Sequence, residues 1–152
     1  MVLRPVLTAD EVADFLDREF PQLAEGGASF FLEAVGPATA TMRLAATTRH
    51  LRPGGTVSGP SLMALADVAG YAVVLAHVGP VVLAVTTNLS INFMRRPPPG
   101  DVVATARLMK LGRQLAVVEC GIAAAGDADL VAHAVMTYAL PPAPAGGGAV
   151  VI

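Results

Sequence analysis

The side chain that most needs a chemical explanation is Asp67, the one acid inside the apolar run Ser58-Gly59-Pro60-Ser61-Leu62-Met63-Ala64-Leu65-Ala66-Asp67-Val68-Ala69-Gly70-Tyr71-Ala72-Val73-Val74-Leu75-Ala76-His77. A carboxylate in apolar surroundings is costly unless it is paired or faces a solvated cavity. Facing a cavity, it can take a proton from a nucleophile or attack an electrophile itself. Tyr71 follows four residues later, on the same face of a helix. The other reactive residue types point elsewhere. Ser58 and Ser61 have no Gly-x-Ser-x-Gly elbow around them and read as helix caps. His50, His77 and His133 are scattered without ligand spacing, so no metal site is expected. Cys120 falls on an expected strand and reads as a small core residue. Gly54-Gly55 lacks the Lys-Ser/Thr of a phosphate loop.

The element that must position Asp67 is a helix over 59–78. Ser58 or Gly59 can cap it, and Pro60 fits its first turn, where a missing N–H is no loss. About 20 residues make a rod near 30 Å long. It is apolar on almost every side, so other elements must wrap it. Upstream, residues 8–20 read as an amphipathic helix with Thr8 and Glu11 in a capping box and Pro21 as its stop. Residues 28–35 and 38–46 read as strands joined by a Gly36-Pro37 turn, and 47–57 as a loop. After Gly79-Pro80 come a long strand from Val81 to about Met94 and a strand over 101–111. A Gly112-Arg113 turn leads to its partner over 114–124, and a Gly126-Asp127 turn to a last strand over 129–140. Turn-linked strands favour an antiparallel sheet, and one long apolar helix favours a sheet curled around it. The fold class is therefore α+β. A single domain is expected over 1–140, with the N-terminal helix inside 1–25, the central helix at 59–78 and a Pro/Gly/Ala-rich tail at 141–152.

Bulk properties narrow the function. A chain of 152 residues can bury a real core. With 54% hydrophobic and 14% charged residues, it is unusually apolar for a monomer, which suggests a homo-oligomer. A net charge of −2 argues against nucleic acid as a partner. A single cysteine excludes an intrachain disulfide framework and fits a reducing, cytoplasmic setting. The N-terminus lacks the apolar core of a signal peptide and soon carries Asp10, Glu11 and Asp14. Asp67, Tyr71 and His77 interrupt the one long apolar run and no basic flank follows it, so no membrane span is expected.

The run His50-Leu51-Arg52-Pro53-Gly54-Gly55-Thr56-Val57-Ser58-Gly59, followed by Ala64-Leu65-Ala66-Asp67, resembles the PaaI-like branch of the hot-dog-fold acyl-CoA thioesterases. Thr86 to Arg95 looks like that family's third strand. Pro99-Gly100-Asp101, Lys110-Leu111-Gly112-Arg113 and Leu130-Val131-Ala132-His133-Ala134 continue the likeness in order, over about residues 28–140. The resemblance implies a six-stranded antiparallel sheet wrapped around the long helix, with dimers joining their sheets edge to edge. The departures are specific. The family's loop Asn is Arg52 here, the His before the glycine is Ser58, the second glycine is Pro60, and the Thr or Ser one turn after the acid is Tyr71.

Under that resemblance Asp67 acts as general base toward water or as nucleophile, and the Gly59 N–H at the helix start holds the oxyanion. The two are eight residues apart, about 12 Å along one axis, so a single carbonyl cannot touch both. Each site must then lie between subunits, two per dimer. The Tyr71 hydroxyl is placed to bond the carboxylate or a water, or its ring to plug the pocket. Arg95, Arg96, Lys110 and Arg113, with Gly112 in the turn, are expected as a cluster for coenzyme A phosphates. Thr87 and Asn88 are expected along the pantetheine channel, Arg52 against an acyl carboxylate or a surface acid, and Ser58 beside the substrate. No cofactor is expected, coenzyme A being part of the substrate. The expected reaction is hydrolysis of a small or medium acyl- or aryl-CoA. A non-catalytic acyl-CoA binding protein and a hot-dog hydratase stand as alternatives.

Overall fold

The computed structural model of the protein describes residues 3–142. Most of the tail expected at 141–152 lies outside them. The elements are α1 (Ala9–Glu19), β1 (Phe30–Gly36), β2 (Thr39–Leu44), α2 (Gly59–Val78), β3 (Val85–Phe93), β4 (Val102–Leu111), β5 (Leu115–Ala124) and β6 (Leu130–Ala139). Six antiparallel strands form one sheet in the order β1-β2-β4-β5-β6-β3, which leaves β1 and β3 as edges. The sheet wraps α2, whose residues from Leu62 to His77 are mostly buried against β2, β4, β5 and β6.

Local chemistry explains the boundaries. Thr8 caps α1 with the reciprocal box: Glu11 N–H donates to Thr8 Oγ1 at 3.2 Å and Thr8 N–H to Glu11 Oε1 at 3.1 Å. Val12, Phe15 and Leu16 bury the apolar face of α1. Ser58 caps α2 by accepting from Ser61 N–H, and Gly79, at φ 108°, ends it in a conformation that favours glycine. Near that end the Val6 and Leu7 N–H groups both donate to the Ala76 carbonyl. His77 is fully buried between Val73 O, 2.8 Å from Nδ1, and Ala38 N–H, which donates to Nε2 at 2.9 Å. It therefore ties the β1–β2 turn to the helix, and burial pushes its pKa below the ordinary value.

α2 is long and apolar enough to cross a membrane, and two thirds of it is buried in this fold as its core. One boundary differs from the sequence expectation. β3 begins at Val85 rather than Val81, because residues 81–84 form a turn closed by Ala84 N–H to Val81 O at 3.2 Å.

Candidate active site

Asp67 is half-buried and lies in a cleft of about 700 Å³ between α1, α2 and the start of β3. Two hydroxyls reach it. Thr86 Oγ1 donates to Asp67 Oδ1 at 2.6 Å, and Tyr138 Oη stands 3.0 Å from the same Oδ1 and 2.8 Å from the Asp67 carbonyl oxygen. Thr86 on β3 and Tyr138 on β6 are direct cross-strand partners, so one rung of the sheet supplies both donors. β3 carries a bulge between Thr86 and Asn88, which turns Thr86 toward the helix. Tyr138 is 1% exposed, and burial with the Asp67 charge beside it raises its pKa well above the ordinary value, so it stays a donor. Gly70, one turn along α2, makes room for it: a Cβ there would overlap the Tyr138 hydroxyl. Among the described residues Asp67 Oδ2 receives no hydrogen bond, and no buried side-chain oxygen lacks a partner, so Oδ2 is reached by solvent. One oxygen is held and the other is free to act.

Gly59 opens onto a different cleft of about 400 Å³, lined by Arg52, Phe93, Met94, Arg95 and Arg96 among others. At this helix start Pro60 has no N–H, Ser61 N–H is capped by Ser58 Oγ at 3.3 Å, and Leu62 N–H bonds Ser58 O at 3.0 Å. The Gly59 N–H has no acceptor among the described residues. A short hairpin, with a bridge between Leu51 and Val57 and a turn at Arg52–Gly55, carries Arg52 to the rim. Within one chain, then, the acid and the open backbone donor face separate clefts.

Several site residues expected from the sequence take other positions. Tyr71 lines the Asp67 cleft, but its hydroxyl donates to Val82 O at 3.1 Å and lies 3.5 Å from Val81 O, with no bond to Asp67. Its reach carries it past the acid to the 81–84 turn. Thr87 is the bulge residue, and its Oγ1 donates to Thr137 O at 3.2 Å. Asn88 pairs with Thr137 on the outer face, because Leu89 and Ile91 take the core side. The four cations do not form one cluster in a chain. Arg95 and Arg96 follow the far end of β3, whereas Lys110, Gly112 and Arg113 lie at the β4–β5 turn, beside Leu115, on the end where Val85 begins β3. Ser58 spends its hydroxyl on capping, donating to Ser61 Oγ at 3.0 Å. Sequence reasoning missed Tyr138 and Gly70 as site residues, and placed Thr86 only in a strand.

The sequence profile of the thioesterase superfamily matches residues 54–131, just over half of the chain, from the loop before α2 into β6. The chain belongs to the thioesterase superfamily. That places its chemistry in thioester hydrolysis, and its six-stranded sheet around a central helix is the hot-dog fold. A candidate thioesterase from Silicibacter sp. is 49% identical, with a TM-score of 0.84 over 92% of this chain and 96% of that one. A variant of the phenylacetic acid degradation protein PaaI from Thermus thermophilus is 25% identical, with a TM-score of 0.66 over 80% and 98%. Zebrafish thioesterase superfamily member 2, at 20% identity and a TM-score of 0.77 over 89% and 99%, shares the fold. No curated protein matches the chain.

Proposed function

We propose that this thioesterase hydrolyses a small or medium acyl- or aryl-CoA, with Asp67 as general base or nucleophile and the Gly59 N–H of a second subunit as oxyanion donor. The observation that carries the reading is the split of the site. Asp67 Oδ2 is open in one cleft, and the unpartnered Gly59 N–H is open in another, eight residues earlier on the same helix. β3 offers a way to join them. It is an edge strand with an unpaired rim, and two copies related by a two-fold axis would pair it antiparallel. Antiparallel pairing reverses the ends, so the Phe93 end of one β3 lies alongside the Val85 end of the other. The Gly59 cleft of one protomer then meets the Asp67 cleft of its partner. The same reversal carries Arg95 and Arg96 toward the end of the sheet that holds Lys110 and Arg113, where coenzyme A phosphates need cations.

In that frame Asp67 takes a proton from water as its oxygen attacks the thioester carbonyl, and the Gly59 N–H holds the resulting oxyanion. Collapse breaks the C–S bond, and the departing thiolate regains the proton, leaving acid and free coenzyme A. Direct attack by Oδ2 would pass instead through a mixed anhydride that water then opens. Thiol release from a panel of acyl-CoAs tests the reading, with Asp67→Asn in parallel. Loss of at least about a hundredfold in kcat is expected from removing the base, and near-normal turnover would sink the assignment. In single turnover in ¹⁸O-water, an Asp67 oxygen in the acid would establish an anhydride opened at the aspartyl carbonyl, a pattern that direct attack by water cannot give.

A further inference from the structure

The cleft that holds Asp67 is bounded along α2 by Tyr71. Ala64, Asp67, Val68 and Tyr71 follow one another along α2 as its floor, and Tyr71 is the last of them. Its ring is fixed on two sides. Phe20, just past the end of α1, meets it edge to face with centroids 6.2 Å apart and planes at 71°, and the Val82 carbonyl holds its hydroxyl at 3.1 Å. Leu23, Val68 and Ala84 give the cleft apolar surface beside the acid, and Glu19 and Gln22 also line it. A chain leaving a carbonyl at Asp67 therefore runs over apolar surface and then strikes a braced aromatic ring.

Resting on the hydrolase reading above, we propose that the Phe20–Tyr71 pair is the end wall of the acyl pocket and limits the enzyme to short acyl groups. One helical turn separates Asp67 from Tyr71, about 6 Å of rise. With C–C bonds of about 1.5 Å, that leaves room for roughly four carbons in line. Tyr71 is thus a specificity-determining residue that acts by its bulk, and its hydroxyl serves to brace the ring.

The test is kcat/KM across straight-chain thioesters from acetyl- to palmitoyl-CoA, for the full chain and for Tyr71→Ala and Phe20→Ala. In the unmodified enzyme kcat/KM should climb about fourfold per methylene while the chain still meets apolar wall, then fall once it reaches the ring. Tyr71→Ala should move that break to longer chains and raise the long-to-short ratio at least tenfold. Phe20→Ala, at a half-exposed position, should move it the same way by less. No break in the unmodified enzyme, or the same break in both variants, would overturn the end wall. Binding of non-hydrolysable S-alkyl-CoA thioethers in the same length series keeps the two ideas apart. If no thioester in the panel is hydrolysed, the substrate reading has failed. A thioether affinity break that shifts with Tyr71→Ala would still uphold the wall, and one that stays put would overturn it.

Discussion

Gly70→Ala is the change through which the support of Asp67 can be read most sharply. In an ordinary helix interior this substitution stabilises by about 0.8–1.0 kcal/mol. Here the new Cβ would overlap the Tyr138 hydroxyl oxygen and stand 2.9 Å from Cζ and 3.0 Å from Cε2. The ring cannot retreat, because it is 1% exposed and packed within the sheet and helix. Overpacking of this kind costs about 1–3 kcal/mol. Pushing the hydroxyl off the Asp67 carboxylate and carbonyl loses a further 1.5–3 kcal/mol or so. Losses outweigh the gain by about 3 kcal/mol at mid-range, which for a chain of this size lowers Tm by roughly 6–12 °C.

Thermal unfolding at one fixed protein concentration measures the first part, since self-association shifts Tm. Activity measures the second. Gly70→Ala and Tyr138→Phe should each lower kcat about tenfold or more with little change in KM, because both leave Oδ1 with Thr86 alone. The double variant is the discriminating sample. With the phenol oxygen gone, the Cβ of Ala meets only the ring carbons, so the second substitution should cost at least about 1 kcal/mol less than it does alone. A Tm that rises by a few degrees in Gly70→Ala, with kcat retained, would refute the reasoning. So would a double variant whose effects simply add.

Thr86→Val keeps the shape of an exposed β3 side chain and removes the other donor to Oδ1; kcat should fall about tenfold while Tm stays within a degree or two, and an unchanged kcat would remove Thr86 from the site. Gly59→Ala places a Cβ 3.5–3.9 Å from the Phe93 ring, ordinary contact that folding tolerates. Turnover should nonetheless drop if a carbonyl approaches that N–H, and full activity with a methyl there would argue against the oxyanion role. Acid should weaken the fold through its buried histidines. Burial pushes His77 and His50 below their ordinary 6.5, and the Arg49 charge adds to the effect at His50. The unfolded chain then binds protons that the folded one refuses, so stability is full above about pH 6.5, declines below it, and levels off past the depressed folded values. Denaturant midpoints at about pH 7 and pH 5.5 check the sign, and a midpoint that rises on acidification contradicts it.

The architecture was legible because its signals are local. Thr8 and Glu11 mark the start of α1, Ser58-Gly59-Pro60 the start of α2 and Gly79 its end, and each observed element lies within a few residues of its expected span. Asp67 stood out for the same reason, as one charge in an apolar helix. Its partners were hidden because they depend on pairings far apart in the chain. Tyr138 lies 71 residues from Asp67 and reaches it only because β6 runs beneath α2. Two signals were nonetheless present: a tyrosine in an otherwise apolar inward row of β6 needs a partner for its hydroxyl, and a glycine mid-helix needs a neighbour that excludes a side chain.

The choice between Thr86 and Thr87 shows where period-two reasoning breaks. Leu89 and Ile91 face the core, so strict alternation carried back along β3 turns Thr87 inward and Thr86 out. The bulge inserts one residue between Thr86 and Asn88, reverses the parity, and delivers Thr86 Oγ1 to the acid. Nothing in Val85-Thr86-Thr87-Asn88 announces that extra residue, since two adjacent threonines read alike. The bulge therefore decides which of two adjacent threonines reaches the Asp67 carboxylate. The cost of one interrupted rung falls on an edge strand, where it disturbs pairing with β6 alone.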